Sequence, residues 1–355
     1  MEQISNSYNR FVKKVSTPQT KLKMEDIAAR AGVSLMTVSR ALRTPDSLAP
    51  ATLKKVLAIV KESGYVPDSI AGGLASKRSG FVSLLVPSIN NLHFAETAAA
   101  LKEILVPAGL QVLLGITNYE AKAEERLVET MLRRRPEAIV LTNDGHSSKT
   151  RKLLAEAAVP VIDTWETPNK LITKVGHSVG FSNKAAAIEM TNHLIVRGYK
   201  RIAYIGEMSD EGTRGRHRRD GFIEAMQSSG MDSSRQVALS APPVGMLEGR
   251  RAFDHLIARW PDTDAVMCVS DPCAFGALSS CQLRGWSVPK RMAIAGFGAF
   301  EISASSVPSI TTISVSGLEI GRITGEMLLE LLYGGAPLKT KLIEIPTALL
   351  IRQSS

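Results

Sequence analysis

Residues 23–43 read KMEDIAARAGVSLMTVSRALR, and this stretch decides how the 355-residue chain is organised. Its apolar side chains recur at helical spacing on two inner faces, formed by Met24, Ile27 and Ala28 in a first helix and by Val38, Ala41 and Leu42 in a second. Gly32 stands where the backbone has to turn, and Ser34 is of a residue type that caps helix N-termini. The stretch therefore predicts two short helices joined by a tight turn, which is helix-turn-helix geometry.

The second predicted helix carries the candidate DNA contacts, because in a helix-turn-helix unit its start faces the major groove. The predicted DNA-binding residues of this unit are Ser34, Leu35, Met36, Thr37, Ser39 and Arg40. The planar guanidinium of Arg40 can bind O6 and N7 of one guanine, whereas Leu35 and Met36 can make only apolar contacts, for instance with a thymine methyl. The alternative is an ordinary helical hairpin in which these side chains only pack.

A third helix and a linker follow. Residues 50–63 have a helical pattern, and residues 64–80 read GYVPDSIAGGLASKRSG. In this order the segments resemble the DNA-binding end of the lactose-repressor (LacI) family, and later stretches extend the resemblance over almost the whole chain. The resemblance implies a dimeric bacterial repressor that binds double-stranded operator DNA and has a core that senses a small molecule.

The linker at 68–80 is expected to act as a hinge. Gly72 and Gly73 precede Leu74, and each glycine weakens a helix by about 1 kcal/mol relative to alanine, so the free linker should be largely unfolded. By resemblance to the family, Leu74 is the leucine that enters the minor groove as an apolar wedge when two hinges meet on DNA. The paired glycines depart from the family pattern, and the alternative is a plain flexible linker.

The charge of the chain is unevenly placed. Residues 1–80 hold 13 Lys or Arg against 6 Asp or Glu, a balance of +7 out of a net formal charge of +9. A module that faces phosphates needs such a surplus, and its affinity for DNA should fall steeply with salt. The composition of the whole chain, 44% hydrophobic and 22% charged, is that of a globular protein with substantial cores.

No segment has the sequence of an export signal, a membrane span or a metal site. The polar residues 1–22 read as a disordered leader, and no apolar stretch approaches the roughly 18 residues of a membrane span. Cys268, Cys273 and Cys281 form an odd set without metal-finger spacing, which favours reduced thiols in packing roles. We therefore expect a cytoplasmic protein without a cofactor, a metal or a membrane partner.

From residue 81 onward, apolar strand-like runs alternate with helical stretches. The predicted strands are 81–87, 110–117, 138–142, 159–163, 201–206, 264–271 and 292–298. This alternation predicts buried parallel sheets in two similar lobes, with a ligand cleft beyond the carboxyl ends of the strands. The predicted fold is an all-α helix-turn-helix DNA-binding domain at 23–67, followed after the hinge by an α/β two-lobed periplasmic-binding-protein-like core at 81–355.

The final segments are expected to complete the first lobe. Residues 307–334 resemble the family's return into that lobe, and residues 342–352, LIEIPTALLIR, are predicted to form one C-terminal strand. The sequence ends without the heptad repeat that some family members use to form tetramers. We therefore expect a homodimer.

Residues at and beyond the predicted strand ends are the candidate effector contacts. They are Ser88, Asn90, Phe94, Asn143, His146, Asp163, Trp165, Arg214, Arg218, Ser270, Asp271 and Phe297. The sequence RRDGF at 218–222 matches the family's R-x-A-G-F/W element, so by resemblance Arg218 is the effector-binding arginine. A guanidinium there can grip a carboxylate bidentately, and Arg214 would suit an acidic ligand. The alternative for the aromatic residues is core packing, and for His146 an exposed loop.

Residues 118–154, 179–214 and 292–298 resemble the gluconate-utilisation repressors within the family, which implies a sugar acid such as gluconate as effector. Where many sugar-binding members carry an aspartate, this chain has Gly298 and Ala299, and loss of a carboxylate would reduce repulsion of an anionic ligand. The alternatives are a neutral-sugar or purine-responsive regulator of the same family and a cytoplasmic sugar-binding protein. An enzyme is not predicted, because the sequence contains no GxxxxGK[ST] phosphate-binding loop.

Overall fold

The computed structural model describes residues 22–66, 78–142, 145–167, 176–208, 214–335 and 340–355. These residues fall into two compact units, one ending by residue 77 and the other beginning at Arg78. The first unit is helical and the second is α/β, so the predicted fold class is confirmed.

The first unit is a three-helix bundle. Its helices are α1 (Met24–Ala31), α2 (Leu35–Arg43) and α3 (Pro50–Ser63), with a short 3₁₀ turn at Pro45–Ser47. Ile27, Ala31, Val38 and Val56 are fully buried between them. Gly32 ends α1 with φ of +61°, a left-handed conformation that favours glycine, so the turn lies where the sequence predicted it.

The second unit contains two lobes. Lobe 1 has a six-stranded parallel sheet in the order β11-β5-β4-β3-β1-β2. Its strands are β1 (Phe81–Val86), β2 (Gln111–Ile116), β3 (Ala138–Leu141), β4 (Val161–Thr164), β5 (His177–Gly180) and β11 (Leu342–Glu344). Its helices are α4 (Leu92–Leu105), α5 (Ala121–Arg133), α6 (Ser148–Glu156) and α12 (Gly317–Tyr333). Helix α12 packs on α4, so the predicted return of the chain into lobe 1 is confirmed.

Lobe 2 has a four-stranded parallel sheet in the order β7-β6-β8-β9. Its strands are β6 (Ile202–Gly206), β7 (Gln236–Ala238), β8 (Ala265–Cys268) and β9 (Ala293–Ala295). Its helices are α7 (Asn183–Val196), α8 (Arg214–Ser228), α9 (Met246–Arg259), α10 (Asp271–Leu283) and α11 (Glu301–Ser305). Strand β8 is shorter than predicted, because the Ser270 side chain accepts from the backbone N–H of Cys273 and starts α10.

The C-terminal segment differs from the prediction. Instead of one strand, it forms β11 in the sheet of lobe 1 and β12 (Ala348–Leu350), which pairs antiparallel with β10 (Thr312–Ser314). Pro346 lies between the two strands and has no N–H to continue a ladder. The chain therefore passes between lobes here, as it also does at residues 181–182 between β5 and α7.

Among the residues that the structure describes, no helix is long and apolar enough to cross a membrane. The same residues contain no group of three or more His, Cys, Asp or Glu side chains that could hold a metal ion.

Candidate functional site

A cavity of about 330 Å³ lies between the two lobes, beside the carboxyl ends of their strands. Eight of the twelve predicted effector residues line it: Ser88, Asn90, Phe94, Trp165, Arg214, Arg218, Ser270 and Phe297. Residues up to about two hundred positions apart in the sequence therefore line one cavity, as the positions of the strand ends predicted. Its physical basis is that parallel strands end at one edge of a sheet, so the segments that follow them meet.

Arg218 is the most firmly held cation of the cavity wall. Its Nε donates to Asn183 Oδ1 at 2.8 Å, one terminal nitrogen donates to the carbonyl of Val269 at 2.7 Å, and its guanidinium lies 3.6 Å from the ring centre of Phe297. Burial, with repulsion from Arg214 as a lesser cause, lowers the pKa of Arg218 to about 10. The side chain is therefore still charged at neutral pH and is fixed in position before any ligand arrives.

Arg214, one turn earlier on α8, reaches across the cleft. It donates a hydrogen bond to the backbone carbonyl of Thr142 in lobe 1, and its guanidinium lies 5.2 Å from the ring centre of Phe94. The ring of Phe94 in turn packs edge-on against Trp165, with 5.4 Å between ring centres. The two arginines thus present positive charge against an apolar, aromatic wall.

Two buried polar atoms of the wall have no hydrogen-bond partner among the described residues. They are Nε2 of His93 and Nε1 of Trp165, in side chains that are 7% and 3% exposed. A buried polar atom without a partner is costly, and in a ligand site it indicates a group that the ligand satisfies. Trp165 also has φ of +77°, a left-handed conformation that is strained for a large side chain and is found preferentially at functional sites.

Glu207 and Tyr119 complete the polar side of the cavity. The Glu207 carboxyl lies against Gly215 at the start of α8, so closely that a β-carbon on Gly215 would overlap it. Burial raises the pKa of the Tyr119 phenol, which stays protonated and can donate a hydrogen bond. The two arginines and one carboxyl leave the described wall with one net positive charge.

His146 and Asp163 do not line the cavity, contrary to the prediction. His146 is 4% exposed and lies between two carboxyl groups, with Nδ1 2.8 Å from Glu124 Oε1 and Nε2 2.9 Å from Asp163 Oδ1. Burial alone would lower the pKa of His146, but the hydrogen bonds and charges of Asp163 and Glu124 outweigh it and raise the pKa to about 10. The three side chains join α5, β4 and the segment after β3 inside lobe 1.

Asp271 also lies outside the cavity lining. It is fully buried and accepts hydrogen bonds from Thr312 Oγ1 at 2.6 Å and from the backbone N–H of Phe300 at 2.8 Å. Its carboxyl fills the space beside Gly296, where any larger residue would overlap it. Asp271 therefore ties α10 to the segment after β9 and to β10. Asn143, the remaining predicted effector residue, lies outside the described residues.

The helix-turn-helix unit presents its predicted face to solvent. Ser34 caps α2 by accepting from the Thr37 backbone N–H at 3.2 Å. Leu35 and Met36 are 47% and 63% exposed, and Arg40 is exposed as well. Thr37 and Ser39 are partly exposed on the same helix. Two large apolar side chains held in water at a helix start indicate a surface that meets a partner. Leu74 lies outside the described residues.

Comparison with known proteins gives two family matches. Residues 23–68 match "Bacterial regulatory proteins, lacI family", and residues 191–355 match "Periplasmic binding protein-like domain". The chain is 34% identical to the HTH-type transcriptional regulator GntR of Pseudomonas aeruginosa, with 94% of this chain and 95% of that protein aligned. The chain belongs to the LacI family.

Two further LacI-family proteins are similar over most of their length. The HTH-type transcriptional regulator IdnR of Escherichia coli is 32% identical, over 87% of this chain and 91% of that protein. The crystal structure of a LacI family transcriptional regulator from Silicibacter pomeroyi is 46% identical, with a TM-score of 0.73 over 78% of this chain and 98% of that one. The predicted resemblance is therefore confirmed, and the chain is a transcriptional regulator, not an enzyme.

Sequence reasoning missed several cavity residues of this LacI-family regulator. The clearest are His93, Tyr119, Glu207 and Phe300. Tyr119 lies two positions and Glu207 one position past a predicted strand, as near to a strand end as the residues that were predicted, so the same rule could have included them. His93 lies on the first turn of α4, with its ring centre 4.3 Å from that of Phe300 across the cleft, and no local pattern marks such a contact.

Proposed function

We propose that this regulator is a repressor of a sugar-acid utilisation operon, and that gluconate or a related sugar acid binds in the interlobe cavity as its effector. The observation that carries the proposal is the fixed guanidinium of Arg218 in the cavity wall, with Arg214 beside it. Such a pair suits a carboxylate, which arginine can bind through two parallel hydrogen bonds.

The remaining wall suits a small polyhydroxylated acid. A volume of about 330 Å³ is at the lower end of ligand pockets, and Phe297 offers an apolar face against which a carbon chain can pack. The unpartnered nitrogens of His93 and Trp165 offer hydrogen bonds to hydroxyl groups. One net positive charge matches one carboxylate, which favours gluconate or a ketogluconate over a phosphorylated acid. The relatives named GntR and IdnR support the same class.

In the proposed mechanism the ligand changes the relative populations of two lobe arrangements. Two protomers bind a palindromic operator, with Arg40 of each reading a major-groove base and the paired Leu74 side chains entering a central flexible step. A sugar acid that binds one lobe arrangement more tightly shifts the population toward it and changes whether the two hinges pair on DNA. Such a DNA-bound regulator acts in the cytoplasm.

Isothermal titration tests the proposal with gluconate, 2-ketogluconate, 6-phosphogluconate and glucose as ligands. We expect one acid to bind and glucose to give no heat. Arg218→Ala should weaken binding of that acid by about 10- to 100-fold, because it removes a charged hydrogen-bonded pair that contributes about 1.5–3 kcal/mol.

Arg216→Ala is the matched control, because Arg216 lies on the same helix but outside the cavity lining. Both variants should bind operator DNA with unchanged affinity in the absence of ligand. If none of the three acids binds, or if Arg218→Ala binds the acid normally, the effector assignment is wrong although the family assignment stands.

A further inference from the structure

Glu166 and Asn183 face each other across the crossover between the lobes at residues 181–182. Glu166 follows β4 of lobe 1, and Asn183 is the first residue of α7 in lobe 2. Asn183 Nδ2 donates to Glu166 Oε2 at 2.8 Å, and the Asn183 backbone N–H donates to Oε1 at 3.4 Å. Asn183 is fully buried and Glu166 is 8% exposed, so these bonds are shielded from water.

The same asparagine holds the arginine of the cavity. Asn183 Oδ1 accepts from Arg218 Nε at 2.8 Å, while Nδ2 also donates to the carbonyl of Trp165 at 3.0 Å. On the far side, Glu166 Oε2 lies 2.9 Å from Nδ1 of His217, one residue before Arg218 on α8. A buried polar chain therefore runs from Arg218 in lobe 2, through Asn183, to Glu166 in lobe 1.

The backbone of Glu166 packs closely against Gly180. A β-carbon on Gly180, at the end of β5, would lie 2.6 Å from the backbone nitrogen of Glu166. The carbonyl of Gly180 accepts from the backbone N–H of Ile345 at 2.7 Å, on the segment that joins β11 to β12. Two of the connections between lobes thus meet beside Glu166, and a change in lobe spacing has to alter the contacts there.

We propose that the hydrogen bonds between Asn183 and Glu166, here named the crossover clasp, hold the lobes at the spacing described above and position Arg218 for the ligand. A ligand that accepts hydrogen bonds from Arg218 competes with the bond between Arg218 and Asn183. Ligand binding therefore changes the strength of the clasp. Asn183 and Glu166 are positioning residues, which act through Arg218 and not by touching the ligand. The coupling to the ligand rests on the proposed effector role of Arg218, whereas the control of lobe spacing does not.

The lobe spacing is measured in the full-length protein, without added ligand, as the distance between two spin labels by pulsed electron paramagnetic resonance. Spin labels go on Arg151→Cys in α6 of lobe 1 and Ala258→Cys in α9 of lobe 2, both exposed positions, in protomers diluted with unlabelled protein. The three native cysteines are buried, so labelling is confined to the introduced ones. We expect a single narrow distance in the labelled parent protein.

Glu166→Ala removes the acceptor and should broaden or shift this distance, whereas Glu166→Gln, which keeps an acceptor oxygen without the charge, should restore it. Lys184→Ala is the matched control, because Lys184 is next to Asn183 but pairs with Glu224 at 2.5 Å on the surface of lobe 2. If Glu166→Ala does not fold, Glu166→Asp, whose shorter side chain stretches the clasp, replaces it. A distance unchanged in Glu166→Ala or Glu166→Asp overturns the proposal.

A second measurement tests the coupling between ligand binding and operator affinity. In Glu166→Ala the acid that binds the parent protein should still bind, within about tenfold, but its effect on operator affinity should shrink at least tenfold. A full ligand response with a normal distance would contradict the clasp. Absence of any acid binding in the parent protein would instead contradict the proposed effector, and the distance measurement would still decide the role of the clasp.

Discussion

The guanidinium of Arg214, at the start of α8 in lobe 2, donates a hydrogen bond to the carbonyl of Thr142, just past the end of β3 in lobe 1. This bond spans the cleft, so Arg214 belongs both to the cavity wall and to the contact between lobes. Because Arg214 also lines the cavity, a substitution that keeps hydrogen-bond donors but removes the charge measures its electrostatic contribution to ligand binding.

Arg214→Gln should weaken binding of the proposed sugar-acid effector by about tenfold, because glutamine keeps hydrogen-bond donors but removes one of the two cations proposed to face its carboxylate. The salt dependence of the dissociation constant should fall as well. Titration calorimetry at two salt concentrations measures both, with Arg216→Gln on the same helix as control. Equal affinities for the parent protein and Arg214→Gln would show that this charge does not face the ligand.

Trp165→Phe should weaken ligand binding by removing one hydrogen-bond donor from the cavity wall. The change keeps an aromatic ring but removes the indole N–H, which has no partner among the described residues. Ligand affinity should fall about three- to tenfold, since one hydrogen bond contributes about 0.5–1.5 kcal/mol. Because phenylalanine is smaller, the buried side chain also loses packing contacts, so the free energy of unfolding should fall as well. Titration measures the affinity and urea unfolding the stability, and an unchanged affinity would mean that the N–H does not contact the ligand.

The buried cluster of His146, Glu124 and Asp163 should make the stability of the second unit depend on pH. The pKa of His146 is raised from 6.5 to about 10 in the folded state. Because the folded state holds this proton more tightly, the stabilisation is fully present below about pH 6.5 and is lost as the pH rises through about 10. The loss should reach at most about 1.4 kcal/mol per pH unit within this window.

Urea unfolding of the parent protein and of His146→Gln at pH 7, 8 and 9 measures this effect. The difference in free energy of unfolding between them should shrink as the pH rises, and comparison with the variant cancels the titration of groups that do not contact His146. His255→Gln, at an exposed histidine of α9, is the control. A difference that does not change with pH would mean that His146 is neutral in the folded protein.

Arg40→Ala should lower affinity for the specific operator by about 10- to 100-fold, because a bidentate contact to guanine contributes about 1–3 kcal/mol of discrimination. Binding to unrelated DNA should change much less. Arg30→Ala, at an exposed arginine of α1, removes the same charge from the other helix and should affect both kinds of DNA alike. Fluorescence anisotropy with the two duplexes provides the measurement, and equal losses for Arg40→Ala would assign Arg40 to the phosphate backbone.

The helices of the first unit were predicted closely because their signals are local. Ser34 and Gly32 act through hydrogen bonds and backbone angles within one turn, and Pro50 starts α3 where the sequence placed it. Seven strands from residue 81 onward, β1 to β4, β6, β8 and β9, likewise lie within a few residues of their predicted positions. Strands β5, β7 and β10 were not predicted, because these segments are too short and too polar to form an apolar run. The C-terminal segment was predicted as one strand, because the apolar pattern does not record that the chain leaves one sheet and joins another strand in a different part of the fold.

The residues of the candidate site differ in the same way between those predicted from local signals and those placed by packing. The sequence by itself predicted that a basic helical module precedes two α/β lobes and that polar residues at strand ends converge on a cleft, because periodicity, caps and the succession of strands are short-range properties. Arg218 was predicted by the match of residues 218–222 to a family element. Only the tertiary structure decided that Glu124 and Asp163 both pair with His146 inside lobe 1, and that Asn183 joins Arg218 to Glu166 across the crossover. These pairs form between residues 17 to 35 positions apart, where packing, and not local pattern, brings donors and acceptors together.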